Sequence, residues 1–129
     1  MGKKILVVED DPTSLRFLEL ILTKEGYQVI TASNGLEGLR KARQESPDLL
    51  VLDVMLPGFD GFEICHRLRS EPDMAKLPIL MLSAKWQESD RDAASRVGAN
   101  AFLSKPVDRI LLLSKVTEFL GGKKDPNAV

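Results

Sequence analysis

The sequence lacks several features that would place it among secreted or membrane proteins. It has one cysteine in 129 residues, which excludes an internal disulfide and suits a reducing compartment. No apolar run approaches the roughly 18 residues that a membrane-spanning helix requires. Glu9 and Asp10 interrupt the first apolar run too early for a signal peptide, and Leu6 stands where the myristoylation motif needs Ser or Thr. We therefore predict a soluble cytoplasmic domain.

The chain also lacks an excess of either charge. Eighteen basic residues against nineteen acidic ones leave no global field that would attract nucleic acid or anionic lipid. Internal repeats and low-complexity segments are absent from the sequence as well. A hydrophobic content of 43% at this length favours one domain with one core. We expect that domain to cover residues 1–121 and to be followed by a flexible tail or the start of a linker over 122–129.

What the sequence does contain is a regular alternation of short apolar runs and amphipathic segments. The apolar runs have the length of strands, and the segments after them carry apolar residues at helical spacing. This alternation predicts an α/β fold in which a five-stranded, doubly wound parallel sheet carries helices on both faces. The predicted strands are Lys4–Val8, Gln28–Ala32, Leu49–Asp53, Pro78–Leu82 and Ala101–Leu103.

Capping signals indicate where several helices begin and end. Asp11 and Pro12 form an N-cap followed by proline at the first helical position, and Gly26 suits the end of this first helix. Gly98 and Gly121 are expected to end the fourth and fifth helices. The inner face of the fourth helix offers only alanine and valine, so we predict that it is the most weakly held helix.

Polar side chains follow four of the predicted strands where each strand ends. Glu9 and Asp10 follow the first strand, and Asp53 ends the third. Ser83 follows the fourth strand, and Lys105 comes soon after the fifth. Taken singly, these are a helix-capping turn, an Asx turn, a loop hydroxyl and a surface lysine. Because the carboxyl ends of parallel strands share one rim, where doubly wound folds bind ligands, we expect the groups to form a site together.

The charges of this predicted site determine its chemistry. Two like charges about 5 Å apart repel by roughly 3 kcal/mol at an effective dielectric near 20. Clustered carboxylates therefore share protons or bind a hard cation, and Mg²⁺ is the cation that combines carboxylate, water and phosphate oxygens. Asp53 beside Mg²⁺ has the chemistry of a nucleophile that forms an aspartyl phosphate. Lys105 and the Ser83 hydroxyl would then carry the charge of the phosphoryl oxygens.

The sequence resembles the receiver domains of bacterial two-component response regulators over residues 3–120. The motifs that carry the resemblance are ILVVEDD, LDVMLPGFDG, MLSA and LSKP, in the order and spacing of that family. The resemblance implies a flavodoxin-like (βα)5 domain with strand order 2-1-3-4-5. It implies a signalling domain, not a turnover enzyme, that is phosphorylated by a sensor histidine kinase or a histidine phosphotransfer protein. An output domain or target protein, which the sequence does not identify, would receive the signal, with no direct contact to nucleic acid or membrane.

The resemblance also assigns roles to the rim residues. Asp53 is implied to be the phosphoacceptor, with Ser83 and Lys105 as its catalytic partners. The Lys105–Pro106 peptide bond is implied to be cis, which an X–Pro amide permits at low cost. The groups implied to hold Mg²⁺ are Asp10, Asp53 and the backbone carbonyl of Met55, together with Glu9, which acts mainly through water.

Two further roles follow from the resemblance. Ser83 and Phe102 are implied to form the switch, although Phe102 stands where the family often has a tyrosine and offers no hydroxyl. Met55 and Lys85 are implied to flank the approach of the water that hydrolyses the phosphoryl group. Neither can accept that water's proton, so we expect a long-lived phosphorylated state. The stretch GANAFLSKPV lacks the acidic pair common in the winged-helix transcription-factor branch, which weakens the expectation of that branch's dimer.

Three other functions remain open. A Mg²⁺-dependent phosphatase like the haloacid dehalogenases would use the same residue types, but it needs D-x-D where this chain has EDD, and the chain is short of a cap. A flavin-binding flavodoxin-like domain needs a phosphate loop rich in Ser, Thr and Gly, whereas EDDPTSLR is acidic. A degenerate receiver that serves only as a docking adaptor is disfavoured because every active-site position is filled.

Overall fold

The strands of the computed structural model, which describes residues 2–58, 60–84 and 88–121, form one parallel sheet. Its order is β2-β1-β3-β4-β5, so the fold class and the strand order are both confirmed. Among the described residues, every helix falls short of the length and apolar character needed to cross a bilayer. The elements are β1 Lys4–Val8, α1 Pro12–Lys24, β2 Gln28–Ala32, α2 Gly35–Glu45, β3 Leu49–Asp53, α3 Gly61–Arg69, β4 Ile79–Ser83, α4 Glu88–Arg96, β5 Ala101–Ser104 and α5 Arg109–Leu120.

Two strands, β4 and β5, have boundaries that differ from the prediction by one residue. The predicted range Pro78–Leu82 was wrong at both ends, since β4 begins after Pro78 and continues to Ser83. Pro78 has no N–H to donate to a ladder, which keeps it outside the strand. Ser83 pairs with Ser104, so β5 is also one residue longer than predicted. Ser83 is therefore held by the sheet itself and does not lie in a loop.

The sheet has a separate apolar cluster on each face. One cluster joins β1, β3 and β4 to α1 and α5 through side chains such as Leu22 and Val116. The other joins the sheet to α2 and α3 through side chains such as Leu39 and Leu68. Burial on both faces explains why the central strands read as continuous apolar runs. Among its described side chains, α4 buries only Ala94, in keeping with the small residues of its inner face.

The predicted caps are present at the helix ends. The Asp11 carboxylate accepts a hydrogen bond from the Ser14 N–H at 2.9 Å, with Pro12 at the first helical position. Gly98 and Gly121 follow α4 and α5 with φ values of 93° and 72°, which glycine adopts without a steric penalty. These helix ends are therefore encoded locally.

Helix α3 begins in close contact with the main chain that carries Asp53. A Cβ atom added at Gly61 would lie 2.7 Å from both the Asp53 carbonyl oxygen and the Val54 Cα. The Gly61 N–H also donates to the Val54 carbonyl at 2.7 Å. Because both neighbours are backbone atoms, only glycine allows α3 to start here without moving the end of β3.

We expect Gly61→Ala to lower the free energy of unfolding by about 1–3 kcal/mol, the usual cost of overpacking. His66→Ala, on the exposed face of the same helix, is the control and should change stability by less than about 0.5 kcal/mol. Chemical denaturation of the three proteins measures both effects. A Gly61→Ala protein as stable as the parent would show that the end of β3 moves without cost.

Candidate functional site

The predicted rim residues converge at the carboxyl ends of the strands. Glu9, Asp10 and Asp53 each offer a carboxylate oxygen, and these three oxygens lie within 4.8 Å of one another. Glu9 and Asp53 are almost fully buried, with exposed fractions of 1% and 4%, whereas Asp10 is exposed. Ser83, at the end of β4, is buried as well. Because buried carboxylates need charged or hydrogen-bonding partners, Glu9 and Asp53 each require such partners in the folded protein.

Lys105 supplies the cation for both buried carboxylates. Its ammonium lies 3.0 Å from Asp53 Oδ2 and also donates a hydrogen bond to Glu9 Oε1. The second oxygen of each carboxylate accepts a main-chain hydrogen bond, from the Met55 N–H to Asp53 at 3.1 Å and from the Asp11 N–H to Glu9 at 3.1 Å. Asp53, a carboxylate inside an apolar run, is thus tolerated because it is both ion-paired and hydrogen-bonded.

Proton affinities in the site reflect this crowding. The pKa of Glu9 is raised to about 7, and burial is the largest cause. The adjacent Asp53 also raises it, whereas the Lys105 hydrogen bond acts to lower it. Burial also acts to lower the pKa of Lys105, but its hydrogen bonds to Glu9 and Asp53 outweigh burial and hold that pKa above the usual range. Lys105 therefore stays cationic, while Glu9 is the carboxyl that holds a proton more readily than usual, chiefly because it is buried.

The donor set of the cluster suits a hard divalent cation. Three carboxylates against one ammonium leave an excess of negative charge in a largely buried place. All the side-chain donors of this cluster are carboxylate oxygens, the type that Mg²⁺ takes, and neither histidine nor cysteine belongs to it. The residues present therefore fit the ion that the sequence predicted.

A groove of about 450 Å³ opens beside the carboxylates. It brings Asp10, the Met55 side chain and Ser83 to one surface. Asp60 and Asp90 also line it, and the sequence did not predict either as a site residue. Asp60 was recognisable in principle, because it precedes the glycine at which α3 starts and caps that helix. Asp90 could not be recognised from the sequence, because its position in the groove depends on how α4 packs against the rest of the fold.

Other predicted residues lie apart from this groove or beyond the described part of the chain. Phe102 is half-buried and lines a second groove, between α4 and α5, together with Leu111. Lys85 lies outside the described residues, as does the predicted tail, 122–129. The Lys105–Pro106 peptide bond is cis, in agreement with the resemblance.

Comparison with known protein families identifies the chain. A family model described as the response regulator receiver domain matches residues 5–117. The chain belongs to this family. Receiver domains are signalling domains of two-component systems, and they act with histidine kinases and output domains.

Relatives of this receiver domain differ in overall length. PhoP of Bacillus subtilis, an alkaline phosphatase synthesis transcriptional regulatory protein, is 50% identical over 82% of this chain, which spans only 43% of PhoP. Protein PilH of Pseudomonas aeruginosa is 38% identical over 92% of this chain and 98% of its own length. The structure of the receiver domain of sensor histidine kinase PA1611 from P. aeruginosa has a TM-score of 0.87 and 30% identity, covering 95% of this chain and 100% of that one; it holds a magnesium ion in its active-site cleft.

The pairing of Lys105 with Asp53 predicts a measurable coupling. Lys105→Met leaves two buried carboxylates without their cation, so we expect it to cost about 1–3 kcal/mol of stability in metal-free buffer. In the Asp53→Asn background the same substitution should cost less, giving a coupling energy of about 0.5–3 kcal/mol. Denaturant unfolding of the parent, the two single variants and the double variant measures it. A coupling near zero would mean that Lys105 serves Glu9 alone.

Proposed function

We propose that this receiver domain accepts a phosphoryl group on Asp53 from a phosphohistidine of a sensor histidine kinase or a histidine phosphotransfer protein. The observation that carries the proposal is the ion pair between Asp53 and Lys105 at 3.0 Å, set beside Asp10 and the groove that contains Ser83. Such an arrangement presents one carboxylate as a nucleophile and keeps a cation and a hydroxyl close to it. The receiver is a phosphorylated switch and does not turn over a separate substrate.

Mg²⁺ would be held by Asp10, Asp53 and the Met55 carbonyl, with Glu9 acting mainly through water. When bound, the ion offsets the negative charge of the carboxylates and of the phosphoryl oxygens. Two observations support this assignment. The carboxylate cluster has the right donor type, and the similar receiver domain of PA1611 holds magnesium in its active-site cleft.

In the transfer step, a carboxylate oxygen of Asp53 attacks the phosphorus. The new P–O bond forms as the P–N bond to the donor histidine breaks, and the electron pair returns to the imidazole nitrogen. The Lys105 ammonium, already beside Asp53, donates a hydrogen bond to a phosphoryl oxygen, and the Ser83 hydroxyl donates to another. These groups carry the charge of the transferred phosphoryl group.

Incubation with acetyl phosphate and Mg²⁺ tests the proposal directly. We expect the parent to gain one acid-stable, base-labile phosphoryl group, seen as a single added mass, and EDTA to prevent it. Asp53→Asn should gain none, while Asp73→Asn, which neutralises an exposed carboxylate, should behave as the parent does. Continuous release of phosphate with turnover would indicate a phosphatase, and labelling of Asp53→Asn would move the phosphoacceptor elsewhere.

The phosphorylated state would be relayed through Ser83 and Phe102. The Ser83 carbonyl accepts from the Lys105 N–H at 2.8 Å, and Phe102 pairs with Met81 in the β4–β5 register, so both residues lie on adjoining strands. A Ser83 hydroxyl drawn toward the phosphoryl group shifts the segment before α4. Phe102, half-buried beside α4, can then turn inward, and α4, with its small buried face, is the element that moves.

This route predicts where beryllofluoride, a phosphoryl mimic, changes amide hydrogen exchange. In the presence of Mg²⁺ we expect the largest changes between residues 83 and 105, because this stretch contains both switch residues and α4. Hydrogen exchange followed by mass spectrometry measures the effect, with Asp53→Asn as the unresponsive control. Changes confined to α1 or α2 would contradict the route.

The lifetime of the phosphoryl group is proposed to depend on Met55 and Lys85. Met55 is 54% exposed and lines the site groove, so its apolar side chain can cover the phosphoryl group but cannot orient a water. Lys85 follows the switch serine by two positions in the sequence and carries a cation that cannot accept a proton. Neither of these two side chains therefore offers a group that positions the attacking water.

We expect Met55→Asn and Lys85→Glu to speed phosphate release from the purified phosphoprotein by about threefold to tenfold, well below the full contribution of a general base. Met55→Leu, which keeps an apolar cover, is the matched control and should match the parent. The rate is read from phosphate release after removal of the donor. If the parent hydrolyses faster than Met55→Asn and Lys85→Glu, these residues do not shield the phosphoryl group.

A further inference from the structure

The carboxyl-terminal end of α4 is fixed by a side chain from α3. Both Nε and Nη2 of Arg69 donate to the Gly98 carbonyl, at 3.0 and 2.9 Å. Nη2 also donates to Asn100 Oδ1 at 2.8 Å, and Nη1 donates to the Met74 carbonyl at 3.2 Å. The guanidinium thus joins the end of α3, the loop before β4 and the connection from α4 to β5. A planar fork of this kind holds its acceptors in one arrangement.

The segment that Arg69 contacts, residues 97–100, is also held by other close contacts. The Gly98 and Ala99 N–H groups donate to the Ser95 and Ala94 carbonyls, which closes α4 with a glycine cap. The space that a Cβ of Gly98 would need is filled by Arg69 atoms, the nearest at 3.0 Å. The buried Cys65 thiol of α3 donates to the carbonyl of residue 97 at 3.2 Å. Two side chains of α3 therefore bind consecutive carbonyls just after α4.

Asn100 extends the attachment to the sheet. Its Oδ1, the acceptor of the Arg69 bond, also accepts from the Ile79 N–H at 2.8 Å. Its own N–H donates to the Ile79 carbonyl at 2.8 Å. The end of α4 is consequently tied to the first residue of β4 as well as to α3.

The other end of α4 lies next to the site. Asp90, in the first turn, lines the same groove as Ser83 and Asp10. Between this turn and the fixed end, Ala94 is the buried side chain among those described, and it gives little area to resist movement. At 1.5 Å per residue the nine-residue helix is roughly 13 Å long, so a rotation of about 10° about its last turn moves its first turn by roughly 2 Å.

We propose that Arg69 is a positioning residue that makes the carboxyl-terminal end of α4 a fixed pivot, so that switching displaces the helix mainly at its Ser83-facing end. The inference rests on the proposed function, since phosphorylation of Asp53 is the event that moves the helix. Arg69 thereby sets which end of α4 moves. Arg69 acts through its hydrogen bonds to the Gly98 carbonyl, the Met74 carbonyl and the Asn100 side chain, and none of them involves Asp53.

Amide exchange measured by NMR at residues 88–92 and 97–99, with and without Mg²⁺ and beryllofluoride, tests the pivot. In the parent we expect exchange to change at 88–92 and to stay within about twofold at 97–99. In Arg69→Ala the change should extend to 97–99. Arg67→Ala is the matched control: it removes an arginine of the same helix whose guanidinium pairs with Glu63, and it should respond as the parent does. A merely structural role for Arg69 would lower the melting temperature without moving the response along α4.

Arg69→Lys is a second variant that keeps the test usable if Arg69→Ala does not fold. A single ammonium cannot bridge the three acceptors, so this variant should also respond at 97–99. If amide exchange in the parent changes equally at both ends of α4, the proposed pivot is wrong. It is also wrong if the exchange changes in the Arg69 variants stay confined to residues 88–92. No response to beryllofluoride anywhere in the parent would instead refute the proposed function, so the two failures are distinguishable.

Discussion

The balance of charge around the Lys105 ammonium constrains the rest of this structure. Burying two carboxylates within reach of each other would be unfavourable on its own, and Lys105 makes it tolerable by contacting both. For that contact, β5 must lie close enough for the residue after its end to reach β1 and β3, with β4 between them. Ser83, in register with Ser104, fixes how far β5 extends. The sheet order and the site are therefore two aspects of one arrangement.

Lys105 neutralises only part of the negative charge of the three carboxylates. The remaining negative charge is what would make the site respond to a cation or a phosphoryl group. The pKa of Glu9 is raised mainly because the carboxyl is buried, and the adjacent Asp53 raises it further although the Lys105 hydrogen bond lowers it. Under the proposed function, a hard cation would offset this excess of negative charge, and a phosphoryl group on Asp53 would add negative charge again at a different position. Lys105 already contacts Asp53, so the cation that the proposed transfer requires is in position. Preorganisation of this kind removes reorganisation from the chemical step.

Much of the fold and of the site could be predicted from the sequence, because short local patterns encode these features. Asp11 caps α1, Gly98 and Gly121 follow helix ends, and polar residues follow apolar runs, so strand ends and their rim were predictable. The boundary of β4 was misplaced because pairing with Ser104 is a property of the neighbouring strand. Asp90 and the contacts of Arg69 were not predictable at all, since they depend on how α3 and α4 pack. The family motifs name the chemical groups of the site; they do not say which end of α4 is fixed.

The site is assembled from residues as far apart in the chain as Glu9 and Lys105. A pairing across nearly a hundred positions contributes a high contact order and forms only when the sheet is nearly complete. During synthesis, Asp53 leaves the ribosome long before the lysine that will face it, and β5 must dock before the two can meet. A chain that is still being made, or one cut before residue 105, holds the proposed phosphoacceptor without its partner. Under the proposed function, the ability to receive a signal is in this way coupled to the completion of folding, and an unfinished molecule would not compete for the phosphoryl donor.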